Sequence, residues 1–417
     1  MPRKSRPTRR PPLPPRWLIG ACGATYRACL DAPGAPDKVI ARAFREDGRL
    51  AGEARGFLAD VVQGMLRARG FVEAAMRHVS RGRDEDAVLV FLRARRGLTV
   101  GPRAAGLGGA IAAGERETGG IDAFVPEWMK RMLPGGHELL RSFATEPPVT
   151  LRANTLKISP RELAEWLWQE GIAAQPASFS PLGMTLEDRA NVFRTEAFRQ
   201  GMFEMQDEGS QLVAFLCAPG SADVVVDGCA GAGGKTLALA AMMENRGTLH
   251  AFDTAAFRLD ELRERAARAG AQNVRVQLLE SDPGLLKRLH GKADVVLIDA
   301  PCSGTGVLRR NPDIAWKLRE EDIPRLVEEQ ARLLAAYAPL VKPGGRLVYA
   351  VCSLLPVEGE KQIARFLREH ADFRRADAAA ILRRAGVKPD GLLTRGDLSI
   401  DPVRHGTDGF YAAALSR

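Results

Sequence analysis

The sequence is poor in the residues that would make a secreted, metal-binding or membrane-spanning protein. Its six cysteines (Cys22, Cys29, Cys217, Cys229, Cys302, Cys352) are scattered over 417 residues, too thinly for a disulfide framework. There is no Cys-x2-Cys pair. His78, His137, His250, His290, His370 and His405 cluster neither with one another nor with the cysteines, so no metal site is expected. No uncharged apolar run approaches the ~20 residues that cross a bilayer. No clean apolar stretch with a cleavage site follows the N-terminus, so no signal peptide is expected and the cytoplasm is the expected compartment. No internal repeat is evident.

Acidic residues are absent from residues 1–16, which hold Arg3, Lys4, Arg6, Arg9, Arg10 and Arg16 together with six prolines. Of the formal net charge of +9, the remainder of the chain carries only +3. Two readings of this tail stand: a disordered solubilising leader, or a flexible arm for an anionic polymer. The rest has globular composition, 45% hydrophobic and 27% charged, and a length that suits two or three domains.

Residues 17–120 read as helical. Phe57, Leu58, Val61, Val62, Met65 and Leu66 recur as one buried helix face. The Gly-rich stretch 97–120 reads as a turn region or hinge. Residues 121–205 are mixed and form a small module, with strand character over 149–157 and a helix over 160–170 opened by Pro160. The stretch 206–417 alternates short apolar strands (223–227, 248–253, 274–278, 294–299, 346–351) with helices, one of them around 323–338. Pro339 and then Pro343-Gly344-Gly345 end that helix and turn the chain into the last strand. This pattern predicts an α/β fold, a doubly wound and mostly parallel sheet, whose ligands sit outside the carboxyl ends of the strands.

Those strand ends carry the chemistry-bearing residues. The first runs into Asp227-Gly-Cys-Ala-Gly-Ala-Gly-Gly-Lys-Thr236, glycines that let backbone approach a ligand at a helix N-terminus. A Walker A loop needs Gly six residues before the Lys, and position 229 is Cys, so a phosphate loop fails. A nucleoside cofactor fits better, because the second strand ends in Asp253, placed to meet a ribose hydroxyl. Asp282 follows the third strand, either as a site acid or as a turn starter before Pro283. Asp299 opens Asp-Ala-Pro-Cys302-Ser-Gly-Thr-Gly306, and the fifth strand ends at Cys352. A carboxylate and two thiols at neighbouring strand ends suit a reaction in which a thiolate adds to C6 of a cytosine and makes C5 nucleophilic towards a sulfonium methyl. An acid near N3 would stabilise the adduct, and a base must strip the C5 proton. A free thiol is only about 3% thiolate at pH 7, so the site must favour ionisation. Arg309, Arg310 and Lys317 are candidates to supply cations or to bind phosphates.

These stretches, with Arg309-Arg-Asn-Pro-Asp-Ile314 and Val351-Cys-Ser-Leu-Leu-Pro356, resemble the Nol/Nop/Sun family of RNA (cytosine-C5) methyltransferases, the bacterial small-subunit rRNA enzymes most of all. Leu151-Arg-Ala-Asn-Thr-Leu-Lys157, Gln206-Asp-Glu-Gly-Ser-Gln211 and Gly406-Thr-Asp-Gly-Phe410 extend the likeness over about 145–417. The resemblance implies a class I S-adenosyl-L-methionine-dependent methyltransferase domain over 206–417. It makes Cys352 the nucleophile, Cys302 the residue that releases the product, and Asp299 a contact to base and donor. Cys229, Ala230, Gly231, Ala232, Gly233, Gly234 and Lys235, with Asp253, Asp282 and Asp299, would hold S-adenosyl-L-methionine, and Arg258 would brace Asp253. The module before it would bind RNA, through Arg152, Asn154 and Lys157, and 17–120 would be a diverged NusB-like domain. Two departures stand out. Gly231 and Ala232 replace the family's Ala-Pro, which loosens the loop by about 0.4–1 kcal/mol, and Val351 replaces a Thr before the nucleophile. The implied partner is RNA, rRNA first and tRNA second, with a non-catalytic RNA-binding assembly factor as the other class. No membrane partner is expected, and a monomer is the default. Trp17, Trp128, Trp166 and Trp168 are either core residues or platforms for bases.

Overall fold

The structure, a computed structural model, describes residues 13–281 and 284–417. The tail up to Pro12 and the cofactor candidate Asp282 lie outside the described residues. The described residues form two compact units, one of 13–131, 135–146 and 308–317, the other of 132–134, 147–281, 284–307 and 318–417.

The first unit is helical. Helix Glu53–Arg67 buries Leu58, Val61, Val62, Met65 and Leu66, the face its periodicity predicts, against Arg16–Asp31 and Asp84–Arg96. The last of these carries Asp84, Glu85 and Asp86 in its first turn and Arg93, Arg95 and Arg96 in its last, each sign beside the opposite end of the helix dipole. The Gly-rich stretch is not a hinge: it holds helices Gly101–Gly106 and Gly108–Thr118. A Cβ at Gly114 would meet the Ala75 backbone nitrogen at 2.8 Å, so glycine there serves close helix packing. The returning segment 308–317 brings Trp316 against this core, where the Arg69 guanidinium lies 4.5 Å from both the Phe124 and Trp316 rings. Lys317 donates to Gly34 O and pairs with Asp313 at 3.1 Å. Its cation is thus committed within the helical unit, and Arg309 is buried.

In the second unit β1 (Thr150–Ala153), β2 (Ala174–Pro176), β3 (Gly183–Leu186) and β4 (Phe203–Met205) make an antiparallel sheet in the order β2-β3-β1-β4. Helix Pro160–Gln169, capped by Ser159 and Glu162, covers it through Leu163 and Leu167. Trp166 packs on this core while Trp168 stays 72% exposed. Arg152 and Asn154 are buried, and Arg152, Asn154 and Lys157 all donate to main-chain carbonyls. Arg152 is buried and donates to Gly234 O at 2.7 Å. Asn154 Nδ2 donates to Gly201 O and Ala269 O, both at 2.8 Å, and Lys157 Nζ to Gln200 O and Arg268 O, both at 2.7 Å. Arg268 and Ala269 end helix Ala256–Ala269, whose last carbonyls have no helical partner. The three side chains therefore clamp the small sheet to the larger one.

That larger sheet holds β5 (Val224–Asp227), β6 (Thr248–Asp253), β7 (Val274–Leu278), β8 (Ala293–Asp299), β9 (Val341–Val351), β10 (Arg374–Arg375), β11 (Leu393–Thr394), β12 (Asp397–Ile400) and β13 (Phe410–Ser416). Their order is β11-β12-β13-β9-β8-β5-β6-β7, with β10 on β13. Strands β5 to β9 pair in parallel, and β10 to β13 form an antiparallel flank. Pro343-Gly344-Gly345 is an irregular opening of β9 rather than a turn before it, for its register with β8 shifts between Ala293 and Val295. Alternate residues serve two cores. Val225, Leu249, Val295 and Leu297 face helices Glu208–Cys217 and Gly234–Met242, while Val226, Phe252, Val296 and Ile298 face Asp322–Tyr337 and Glu360–Glu369. The strand order reverses between β5 and β8, which makes that gap the switch point where such sheets bind ligands.

Candidate active site

A cavity of about 430 Å³ opens at this switch point. Its wall includes Cys229, Ala230, Gly231, Ala232, Gly234 and Lys235 after β5, Asp253 and Arg258 after β6, and Asp299 after β8. Gly233 is not on the wall. It turns the loop at φ +89°, and a Cβ there would meet Leu262 Cδ1 at 2.1 Å, so only glycine fits. Asp253 is held by two backbone donors, Gly231 N at 2.9 Å and Ala255 N at 2.8 Å. Arg258 makes no ion pair with it; the Arg258 guanidinium lies 5.9 Å from the Phe257 ring.

Charge is arranged unevenly. Burial alone would pull the Lys235 ammonium down, but the Asp299 carboxylate, 2.6 Å away, outweighs it and the pKa rises. Asp227 is buried and its carboxyl is pushed up to about 7, by burial first, with Asp299 adding to it against Thr236 and Lys235. Thr236 Oγ1 donates to Asp227 Oδ2 at 2.7 Å, while Oδ1 is buried without a hydrogen-bond partner. Burial, then the acids Asp227, Asp299, Asp253 and Glu329, raise the Cys229 thiol. Cys229 is therefore a wall residue whose thiol keeps its proton.

The two remaining strand-end thiols come together. Cys302 Sγ and Cys352 Sγ lie 3.4 Å apart, both half-buried. The Cys302 thiol is raised well above its ordinary value, by its hydrogen bond to Cys352, by burial, and by the charges of Cys352 and Glu358. Gly306 N donates to Cys352 O at 3.0 Å and Gly409 N to Gly306 O at 2.8 Å. A Cβ at Gly306 would meet Gly409 O at 2.1 Å. The stretch Gly406–Phe410 thus locks the thiol-bearing loops from behind.

Asp227, Gln206, Ser210 and Tyr337 also line the cavity and were not assigned from sequence. Asp227 had a signal, as the last residue of the first strand; Tyr337, whose hydroxyl donates to Gly228 O at 2.9 Å, had only its helix position. Among the described residues no group of three or more His, Cys, Asp or Glu could hold a metal ion, and no helix is long and apolar enough to cross a membrane.

Residues 214–416 match the family described as 16S rRNA methyltransferase RsmB/F, and residues 126–193 its ferredoxin-like domain. The chain is 32% identical over 302 residues to a probable ribosomal RNA small subunit methyltransferase B of Bacillus subtilis, covering 72% of this chain and 67% of that protein. It is 31% identical over 337 residues to the ribosomal RNA small subunit methyltransferase B of Vibrio cholerae, covering 76% and 73%. With several other such relatives the shared stretch is just under two thirds of their length, at 65–66%. Among solved structures, a methyltransferase homologue from Pyrococcus horikoshii superimposes with a TM-score of 0.57 at 28% identity, over 68% of this chain and 92% of that one.

Proposed function

The chain belongs to the RsmB/F family of S-adenosyl-L-methionine-dependent rRNA methyltransferases, and from that premise we propose that it methylates C5 of a cytosine in 16S rRNA through a covalent Cys352–C6 adduct. The observation that carries this reading is the pair of thiols 3.4 Å apart beside the Asp299–Lys235 ion pair. S-adenosyl-L-methionine, when bound, supplies the methyl group. The cavity fits it in three respects. The Gly231–Lys235 loop leaves room at a helix N-terminus, Asp253 ends the second strand as a ribose-binding acid does, and Asp227 Oδ1 is a buried polar atom without a hydrogen-bond partner.

The chain's own residues divide the remaining work. Lys235 places a buried positive charge next to Asp299 and within electrostatic reach of Cys352. Cys352 adds to C6 of a cytosine taken out of its stack, sending an electron pair to C5. Asp299 contacts the base edge. Cys302 remains a thiol during attack. After methyl transfer it gives its proton to solvent, and the resulting thiolate takes the C5 proton; the C5–H electron pair re-forms the C5–C6 double bond and expels Cys352 as a thiolate. An rRNA substrate places the enzyme in the cytoplasm.

The test is methyl transfer from labelled S-adenosyl-L-methionine to 16S rRNA and, side by side, to tRNA, followed by digestion to nucleosides. The expected product is 5-methylcytidine from 16S rRNA. Label in tRNA alone would change the substrate, and label in neither would favour a binding protein.

A further inference from the structure

We infer that Glu358 is a positioning residue of this site, whose buried carboxylate ties the two thiol-bearing loops into one unit and keeps Cys302 and Cys352 in register. The inference rests on the proposed thiol chemistry for its activity readout, not for its geometry.

Glu358 is fully buried. Its Oε1 accepts from the Ser303 backbone N–H and from Gln330 Nε2, both at 2.9 Å. Its Oε2 accepts from Ser303 Oγ and Ser353 Oγ, both at 2.5 Å. Ser303 follows Cys302 and Ser353 follows Cys352, so one carboxylate holds the residue after each thiol. The bracing goes further. Gln330 Nε2 also donates to Pro301 O at 3.0 Å, before Cys302. Ser303 Oγ, Ser353 Oγ and Thr305 Oγ1 lie 3.1–3.2 Å from one another. The Tyr349 hydroxyl donates to Glu358 O at 2.7 Å.

A buried carboxylate is costly unless donors surround it, and no Lys, Arg or His pairs with this one among the described residues. Four polar groups surround its two oxygens. Packing alone would be served as well by an apolar residue. What the carboxylate adds is a fixed link between two loops and a negative charge near Cys302. The titratable groups facing Cys302 are Cys352, Glu358 and Tyr349, with Asp299 and Tyr411 beyond Tyr349. Of the acids among them, Glu358 is the one whose charge helps hold the Cys302 proton. It thereby acts on the Cys302 thiol as well as fixing the pair in space.

Glu358→Gln keeps the volume but replaces one acceptor oxygen by a donor. Ser303→Ala and Ser353→Ala each cut one loop free and serve if Glu358→Gln fails to fold. The measurements are kcat and KM on 16S rRNA, S-adenosyl-L-methionine affinity by calorimetry, and the rates at which iodoacetamide alkylates Cys302 and Cys352, resolved by peptide mass. A loosened pair costs about 10–100-fold in kcat, with KM and cofactor affinity within about twofold. In Glu358→Gln the Cys302 alkylation rate at fixed pH rises severalfold, while that of Cys352 does not. Unchanged kcat and an unchanged alkylation ratio would overturn the inference. So would loss of folding and cofactor binding in Glu358→Gln while both serine variants keep full kcat and wild-type alkylation. Absence of 5-methylcytidine from the wild type would instead sink the proposed reaction, and the alkylation ratio would still judge Glu358.

Discussion

At Asp227 the fold holds a carboxyl group in surroundings that favour its proton. The group is buried and pushed up to about 7, against an ordinary value of about 3.9 in the unfolded chain. Between those values the native protein binds a proton that the unfolded chain has released. Stability therefore falls as pH rises from about 4 to about 7, on the order of a few kcal/mol, and is level outside that window. Asp227→Asn removes the slope. Thermal midpoints at about pH 4.5 and about pH 7.5 check this: the wild type loses ground to Asp227→Asn at the higher pH, and parallel behaviour would contradict it. The same scale explains which site residues could be read in advance. Asp253, Asp299, Cys302 and Cys352 stand at strand ends, where an α/β sheet must place its ligands. Glu358 follows the fifth strand by seven residues, and only its four donors, drawn from three separate stretches, give it meaning.

At the scale of elements, the small sheet and the large one meet through donors aimed at carbonyls. Asn154 is the centre of that clamp, bonded at once to Gly201 O and Ala269 O. Asn154→Ala leaves two buried acceptors unpaired and destabilises the chain by about 1–3 kcal/mol, readable by denaturant unfolding. RNA affinity keeps its salt dependence, since no phosphate contact is lost. Undiminished stability with a shallower salt slope would restore Asn154 as an RNA contact. The misreading has a physical cause: a polar strand end looks alike whether it faces a nucleic acid or a helix terminus. Gly97–Gly120 misled for a related reason. Glycine permits turns, but at Gly114 it permits the approach of a neighbouring helix. Strands β6 and β7 were legible to the residue because apolar residues alternating with polar ones between turn signals leave little choice.

At the scale of the whole molecule, the chain enters a helical unit, leaves it for the catalytic one, and returns for 308–317. That return was invisible in the sequence, where the segment reads as a basic loop after Cys302; Trp316 needs a core, and only the fold says which. Five of the tail's six basic residues lie outside the described residues and the sixth, Arg16, opens helix Arg16–Asp31, so the reading of the tail as an arm for an anionic polymer stands on charge alone. What unites the parts is one claim, that two thiols act in sequence on a single cytosine. Incubating wild type, Cys302→Ala and Cys352→Ala with 16S rRNA and labelled S-adenosyl-L-methionine, then resolving them on denaturing gels, tests it most directly. Cys302→Ala should accumulate a covalent protein–RNA species, and Cys352→Ala should form neither that species nor methylated cytosine. A covalent species from Cys352→Ala, or full methylation without Cys352, would contradict the account.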